Sequence, residues 1–156
     1  GNVIIGSNFH FVDELIDWFG KVEWVDGDIY EDIDEEDSNQ VERDIGSVML
    51  GFENGVTAYI SYARGYDSPG LGFNRKIIGE KGYIVESDGE PEFWSPEGKT
   101  KIEYKDKDSI LEDTRMFLDY IRGKGDLVYT PEDGVYGVKV VEAASKAAKK
   151  GERVYL

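Results

Sequence analysis

The segment IGSVMLGFENGVTAYISYARG, residues 45–65, decides the fold class because it predicts a β-hairpin. Both of its halves are rich in β-branched and aromatic residues, which favour strands. The dipeptide Asn54-Gly55 separates the halves and readily adopts the positive φ angles of a tight hairpin turn. Strands joined in this way are antiparallel, so the sheet should be mainly antiparallel.

Further strands are predicted on both sides of this hairpin. Lys21–Asp28 predicts a short strand, and RVYL at residues 153–156 predicts a closing strand. Two more hairpins are predicted, one turning at Glu80-Lys81 and one turning at residues 96–98. The glycines and the proline of residues 66–72 predict a loop.

Two segments show apolar residues at the spacing of one helical face. In the first, Ser7 or Asn8 can act as the N-cap, and Gly20 ends the helix. The second spans Asp108–Arg122. The two apolar stripes consist of Val12, Leu15, Ile16 and Phe19, and of Ile110, Leu111, Thr114, Phe117, Leu118 and Ile121.

A third helix is predicted near the end of the chain. Thr130 caps it, Pro131 occupies its first helical position, and acidic residues follow where the helix dipole favours them. Gly151 ends this helix. Its predicted contact face is made of small residues, namely Val138, Val141, Ala144, Ser145 and Ala148.

The order of elements is helix, many strands, two helices and a final strand. This order predicts an α+β fold, a two-layer sandwich with an open, mainly antiparallel sheet and helices on one face. The other sheet face is predicted to present Tyr59, Tyr62 and Trp94, and such an aromatic face must be covered or used. The tryptophans Trp24 and Trp94 are interpreted as core or interface residues rather than as platforms for sugars.

Composition excludes several functional classes. The chain has 156 residues, enough for one domain with its own core, and no cysteine for disulfides or thiolate metal sites. Its net charge of -15 disfavours nucleic acid and anionic lipid as partners. No apolar run has the length of a membrane span and no signal peptide is evident, so we expect a cytoplasmic protein with no membrane partner.

An acidic run follows the first predicted strand. Its oxygen ligands could suggest a calcium loop, but the spacing and the missing turn glycine do not match an EF-hand. A solvated loop is therefore predicted, without a metal site. The acids of this run are Asp26, Asp28, Glu31, Asp32, Asp34, Glu35, Glu36 and Asp37.

Four segments occur in an informative order along nearly the whole chain. They are GNVIIGSNFHFVDELIDWFG (1–20), VMLGFENGVTAYI (48–60), RKIIGEKGYI (75–84) and TPEDGVYGVKVVEAASKAAKKGERVYL (130–156). Together they resemble the C-terminal domain of the Gfo/Idh/MocA family, which includes glucose–fructose oxidoreductase and inositol dehydrogenase. The resemblance implies a fold like the C-terminal domain of glyceraldehyde-3-phosphate dehydrogenase.

The resemblance also implies a division of labour in the whole protein. Residues 1–156 would be the C-terminal domain for substrate binding and oligomerisation, and its open sheet face would build a homo-oligomer. A separate N-terminal Rossmann domain would bind NAD or NADP. This chain shows no strand, G-x-G-x-x-G turn and helix in succession, so we expect it to lack that domain and to be inactive alone.

His10, the only histidine of the chain, is the candidate catalytic residue. On the predicted helix it shares a polar stripe with Asp13, opposite the apolar stripe. Spacing alone leaves both a surface histidine and a catalytic base open. The resemblance implies the base, which would take the proton of a sugar, cyclitol or polyol hydroxyl during its oxidation. Asp13 matches the acid that follows this histidine in the family, and we interpret it as structural.

Five further residues are candidate substrate contacts. Ser7 and Asn8 lie just before His10, and guanidinium groups suit substrates rich in hydroxyls or carboxylates. The same arginines could instead pair with the many acids of this chain. The candidates for substrate binding are Asn8, Ser7, Arg64, Tyr66 and Arg75.

Two other hypotheses come from specific residues. Gly6 stands where many members of the resembled family have an aspartate, which suggests a non-catalytic relative kept for binding or assembly. The acidic run suggests an interaction domain whose partner binds residues 26–37.

Overall fold

The structure, a computed structural model, describes residues 9–32, 43–64, 74–87, 90–103 and 108–156. The chain forms two compact units, which we call unit 1 (Gly1–Tyr66 and Val128–Leu156) and unit 2 (Asp67–Leu127). The elements in chain order are α1 (Phe9–Phe19), β1 (Val22–Asp32), β2 (Arg43–Phe52), β3 (Thr57–Arg64), β4 (Asn74–Gly79), β5 (Gly82–Ser87), β6 (Glu90–Ser95), β7 (Gly98–Lys101), α2 (Ser109–Ile121), α3 (Pro131–Lys150) and β8 (Val154–Tyr155).

The α+β class and the antiparallel pairing are confirmed. The described strands form two four-stranded antiparallel sheets, in the orders β3-β2-β1-β8 in unit 1 and β4-β5-β6-β7 in unit 2. No helix among the described ranges has the length and apolar character needed to cross a membrane.

The hairpin between β2 and β3 is confirmed, although its loop is longer than a two-residue turn. Phe52 donates its N–H to the carbonyl of Val56 over 2.9 Å, so the loop has three residues, and Gly55 adopts a φ of 85° in it. The Asn54 side chain accepts from the Val56 N–H over 3.1 Å and donates to the Phe19 carbonyl over 3.0 Å. The turn is thereby tied to the end of α1.

The strand β1 is longer than predicted, because it runs to Asp32 rather than Asp28. Asp26 pairs with Met49 and Asp28 pairs with Ser47, on the face opposite the core pair Val25–Leu50. The alternate acids Asp26 and Asp28 are compatible with a strand that has one solvated face. The predicted strand through Asp28 is therefore confirmed and the prediction of a loop is wrong for residues 29–32, while residues 33–37 lie outside the described part of the chain.

The core of unit 1 lies between its sheet and the helices α1 and α3. Phe19 also packs edge-on against Phe52, with 5.5 Å between ring centroids. Burying this many aliphatic side chains is the main source of stability for such a layer. The buried apolar residues are Val12, Val22, Val25, Val48, Leu50, Phe52, Val140, Val141, Ala143, Ala144 and Ala147.

The contact face of α3 is broader than predicted and is rotated from the predicted stripe. Val141 and Ala144 are buried as expected, whereas Val138 is 47 % exposed. Ser145 and Ala148 are only partly buried. The face differs because α3 packs against both β1 and α1, so residues on two adjoining stripes are covered. The buried positions that the pattern missed are Gly137, Val140, Ala143 and Ala147.

Unit 2 contains the two remaining predicted hairpins and the second helix. The loops Glu80-Lys81 and Pro96-Glu97 join their strands as expected. Asp108 caps α2 by accepting the N–H of Leu111 over 3.0 Å. No described side chain of unit 2 is fully buried, and the expected apolar stripe of α2 is exposed in this chain.

The aromatic residues expected on one sheet face lie in three different places. Tyr59 lies on the open face of the first sheet, as predicted. Tyr62 instead packs against the core, and Trp94 belongs to the second sheet, so these two predictions are wrong. A one-residue step along a strand reverses the face, which places Tyr59 and Tyr62 on opposite sides.

Candidate active site at the start of α1

The first turn of α1 places His10 on the surface of unit 1. The imidazole is exposed, and the neighbouring Phe9 packs against the core. The rings of Phe9 and His10 meet edge-on, with centroids 6.3 Å apart. An exposed imidazole on an anchored helical turn is accessible to a small molecule while its backbone is held in place.

Asp13 lies one helical turn after His10 and contacts a distant part of the chain. The hydroxyl of Tyr129 donates to Asp13 Oδ1 over 2.6 Å, and the two residues are 116 positions apart in sequence. This contact agrees with the structural interpretation of Asp13. It links the first turns of α1 to the residue that precedes the N-cap of α3.

The helices α1 and α3 approach closely at Gly137. A Cβ atom at this position would lie 3.0 Å from Asp13 Oδ1 and 3.0 Å from Phe9 Cζ, which is tighter than ordinary side-chain contacts. The absence of a side chain at Gly137 therefore allows the carboxylate of Asp13 and the ring of Phe9 to lie directly against α3.

The electrostatic environment of Tyr129 favours its neutral form. Partial burial, the hydrogen bond to Asp13 and the negative charges of Asp13 and Asp133 raise the pKa of Tyr129 above its ordinary value. Tyr129 is 45 % exposed, so the desolvation concerns mainly its hydroxyl end. The phenol is therefore a donor to Asp13 throughout the neutral pH range.

The start of α3 is held by a capping box. The Asp133 N–H donates to Thr130 Oγ1 over 3.3 Å, and the Thr130 N–H donates to Asp133 Oδ2 over 2.8 Å. Hydrogen bonds from the hydroxyl and backbone N–H of Thr130 hold the pKa of Asp133 below its ordinary value. The predicted cap is confirmed, and it fixes the residue next to Tyr129.

Among the other predicted site residues, the structure describes the side chain of Arg75 only. Ser7, Asn8 and Tyr66 lie outside the described residues, and only the backbone of Arg64 is described, at the end of β3. Arg75 lies in unit 2 on β4 and forms a 3.1 Å ion pair with Glu86 across the strands. Arg75 is therefore engaged with an acid of this chain.

The described acids of the acidic run are held within the first sheet. Asp26 Oδ1 accepts its neighbour's N–H, from Gly27, over 2.9 Å, and Asp26 Oδ2 lies 3.8 Å from Arg153 Nε. The Arg153 guanidinium also stacks over the Trp24 ring at 3.7 Å. Within the described ranges, no group of three or more histidine and acidic side chains is arranged to hold a metal ion.

Trp94 is half-exposed and stacks on Tyr83, with 6.0 Å between centroids and 7° between planes. Lys99 lies over the Trp94 ring at 5.1 Å. Glu92 Oε1 lies 2.6 Å from Lys99 Nζ, and the hydrogen bond with Lys99 holds the pKa of Glu92 below its ordinary value. Cross-strand pairs of this kind stabilise a sheet face that has little buried area.

Sequence patterns did not identify Tyr129 as part of this site. Tyr129 lies between two predicted helices in a segment without periodicity, and its partner Asp13 lies 116 positions earlier in the sequence. The only local signal was the adjacent capping motif at Thr130, which predicted a helix start and not a contact with α1.

The described residues do not fit a dinucleotide cofactor. Every described strand pair is antiparallel, whereas a dinucleotide-binding site of the Rossmann type needs parallel strands joined through a helix.

Solved structures of oxidoreductases share this fold. Biliverdin reductase from Synechocystis sp. PCC 6803, in complex with biliverdin and NADP+, has a TM-score of 0.84 and 19% identity, covering 96% of this chain and 47% of that one. Aldose-aldose oxidoreductase from Caulobacter crescentus, complexed with glycerol, has a TM-score of 0.80 and 18% identity, covering 100% and 48%.

A third similar structure is an oxidoreductase from Agrobacterium radiobacter in complex with NAD+, L-tartaric acid and magnesium. It has a TM-score of 0.78 and 18% identity, covering 97% of this chain and 48% of that one. The chain thus spans about half the length of these proteins. No curated protein sequence is significantly similar to it.

The sequence model of one protein family, described as "Oxidoreductase family, C-terminal alpha/beta domain", matches residues 1–156. The match covers the whole chain and agrees with the α+β fold and with the similar structures. The chain therefore belongs to the C-terminal α/β domain of the Gfo/Idh/MocA family of NAD(P)-dependent oxidoreductases.

Proposed function

We propose that this domain completes the substrate site of an oxidoreductase that acts on a sugar, a cyclitol or a related polyol. The observation that supports it most is the exposed His10 on an anchored first turn of α1, in a chain of this family. In this proposal His10 is the base, and the nicotinamide of NAD or NADP is held by an N-terminal Rossmann domain outside this chain.

The chemistry of alcohol oxidation explains the role of His10. As the carbon loses a hydride, its hydroxyl must lose a proton to a positioned base, and histidine can take a proton near neutral pH. The nicotinamide supplies the hydride acceptor. The residues of this chain would hold the substrate and accept the proton.

Substrate contacts would come from residues near the same end of α1. Ser7 and Asn8 precede His10 by three and two positions in the sequence, and we propose them as polar substrate contacts. Arg64 and Tyr66 are proposed as further contacts. Arg75 would bind a substrate only by exchanging its partner Glu86.

The contents of similar structures support a hydroxylated substrate. The oxidoreductase from Agrobacterium radiobacter is in complex with L-tartaric acid, and the enzyme from Caulobacter crescentus is complexed with glycerol. Both molecules bear several hydroxyl groups. A polyol or a sugar would match the proton-accepting role of His10.

The open face of the first sheet is proposed as the surface for homo-oligomerisation. Large apolar side chains on this face are exposed in the single chain, which is unusual for a surface that stays in water. We expect an oligomer by light scattering at micromolar concentration, and a monomer would contradict this part of the proposal. The exposed side chains are Tyr30, Ile45, Met49, Tyr59 and Tyr155.

A second candidate function is a non-catalytic binding or assembly module. It is favoured by Gly6, which stands where many family members have an aspartate. Neither Ser7 nor Asn8 can accept a proton as a carboxylate does, so the usual set of catalytic groups would be incomplete.

The decisive experiment is turnover by the full-length protein that contains this domain. D-glucose, D-galactose, D-xylose and myo-inositol are offered with NAD+ or NADP+, and the absorbance of reduced nicotinamide is followed. We expect His10→Ala to lower kcat by about 10²–10⁴-fold, the usual contribution of a positioned base. The matched control Asp17→Ala changes an exposed residue further along α1 and should leave kcat unchanged.

A His10→Ala variant that retains the kcat of the unmodified protein would exclude His10 as the base and favour the non-catalytic module. The isolated 156-residue chain is expected to bind neither NAD+ nor NADP+ in equilibrium dialysis. Binding by the isolated chain would contradict the assignment of the cofactor to another domain.

A further inference from the structure

We propose that Tyr129 is a positioning residue that sets the location of His10 through Asp13, an inference that rests on the proposed role of His10 as base. Tyr129 would not touch the substrate. It would act by holding the first turns of α1 in one register against the start of α3.

The spacing of His10 and Asp13 on α1 couples their positions. His10 and Asp13 are three residues apart on a helix of eleven residues, so their Cβ atoms lie on the same side, one turn apart. A shift or rotation of this turn moves both side chains together. Any contact that fixes Asp13 therefore also restricts the backbone position from which the imidazole extends.

The contact of Tyr129 with Asp13 is a strong hydrogen bond. The phenolic hydroxyl of Tyr129 lies 2.6 Å from Asp13 Oδ1, which is within the short range of hydrogen bonds to carboxylates. Such bonds are stronger than those between neutral groups. The raised pKa of Tyr129, caused by partial burial and by Asp13, keeps the donor proton in place.

Tyr129 is itself anchored at the start of α3. It immediately precedes Thr130, whose capping box fixes the start of α3. The Tyr129 ring also lies along that helix, since a Cβ atom at Gly134 would be 3.7 Å from its Cε1 atom. The Tyr129 hydroxyl thus contacts α1 from a residue whose position is fixed.

The helices α1 and α3 approach each other closely beside this hydrogen bond. At Gly137, the space for a Cβ atom is restricted by Asp13 and Phe9 of α1. Steric contact at Gly137 therefore limits how near α1 can come to α3. The hydrogen bond from the Tyr129 hydroxyl limits how far the turn that contains Asp13 can move away. Together the two contacts define one position for the turn that bears His10.

The experiment compares Tyr129→Phe with Tyr120→Phe in the full-length protein. Tyr120 is an exposed tyrosine of α2 in unit 2, so its variant controls for the loss of a phenolic hydroxyl elsewhere. The substrate is the sugar or polyol of the four-compound panel that is turned over fastest. We expect Tyr129→Phe to lower kcat by about 10-fold with KM within about twofold, because base alignment matters most in the transition state.

A second measurement reports the position of His10 without turnover. In protein labelled with ¹³C-histidine, the His10 imidazole signal is identified as the one that disappears in His10→Ala. We expect Tyr129→Phe to shift or broaden this signal and Tyr120→Phe to leave it unchanged. The pair Tyr129→Phe and Asp13→Asn should be non-additive in kcat, because both substitutions remove the same hydrogen bond.

The outcomes separate the two proposals. If Tyr129→Phe matches Tyr120→Phe in both kcat and the His10 signal, the positioning role is wrong even when His10→Ala is inactive. If His10→Ala retains activity, the proposed role of His10 as the base is wrong. The His10 imidazole signal alone then decides whether Tyr129 positions His10. A shifted signal supports positioning and an unchanged signal overturns it.

Discussion

The two units of this chain use similar elements but differ in how they are stabilised. Unit 1 covers one face of its sheet with α1 and α3, and it contains all eleven apolar residues that are buried in the described part of the chain. Unit 2 has a sheet of the same number of strands and a helix with a regular apolar stripe, yet none of its described side chains is fully buried. Patterning alone therefore does not make a core, because a core also requires a second layer at packing distance.

Unit 2 is stabilised by contacts within its own sheet. The stacked pair of Tyr83 and Trp94, the Lys99–Glu92 ion pair and the Arg75–Glu86 ion pair all join neighbouring strands. Each such contact contributes little when it is exposed. We therefore expect substitutions in unit 1 to lower stability through lost burial. In unit 2 we expect the loss of one exposed side-chain contact to have a small effect on stability, and a substitution that disturbs the backbone geometry to have a larger one.

The largest effect is expected for Leu50→Ala in β2. Leu50 is 0 % exposed, so the substitution leaves a cavity and should lower the free energy of unfolding by about 2–5 kcal/mol in urea denaturation. The matched substitution in unit 2 is Ile78→Ala on β4, where the side chain is 76 % exposed. It should change stability by less than about 0.5 kcal/mol. Equal effects of the two variants would refute the contrast between the units.

An intermediate effect is expected for Gly82→Ala at the start of β5. Gly82 has a φ of 146°, and an added Cβ would collide with the backbone carbonyl of Trp94. We expect a loss of about 1–3 kcal/mol, together with a weaker near-UV circular dichroism signal from the Tyr83–Trp94 stack.

The control for this prediction is Gly98→Ala in the same sheet. Gly98 has a φ of 132° but no neighbour within 4 Å of an added Cβ, so it reports backbone strain without the collision. If the two variants are equally destabilised, the close approach at Gly82 contributes nothing.

The smallest effect is expected for Thr130→Ala at the cap of α3. Loss of the cap should lower the free energy of unfolding by about 1 kcal/mol, whereas Thr130→Ser should retain most of it. The pKa of Asp133 is held low in the folded state, so its stabilising contribution is present above the unfolded pKa and is lost as the pH falls through the folded pKa. The difference between the unmodified protein and Thr130→Ala should therefore narrow in acid, as measured by urea denaturation at several pH values.

Local sequence signals predicted most of the secondary structure. The positions of Gly20, Gly55 and Gly151 mark ends and turns, and each has a positive φ that glycine adopts readily. The capping box at Thr130 and the loops of the later hairpins were equally predictable, because they depend on adjacent residues. The length of β1 was not, since a run of acids is compatible with either a loop or a strand that has one solvated face.

The candidate site was predictable only in part. His10 was found because it is the single histidine and lies in a motif of the family. The partner of Asp13 could not be found in this way, because Tyr129 lies 116 positions away in a segment without periodicity. Arg75 was proposed from its residue type, and its pairing with Glu86 depends on the register of β4 and β5.

The sequence by itself determined the α+β class, the hairpin turns, the two caps of α3 and the presence of His10 on the first helix, because these features depend on neighbouring residues. Tertiary structure decided which stripe of α3 is buried, which face Tyr62 occupies, and that Tyr129 meets Asp13. These features depend on how layers pack, since a helix against two neighbours buries more than one stripe and a contact between distant residues exists only when both helices are in place.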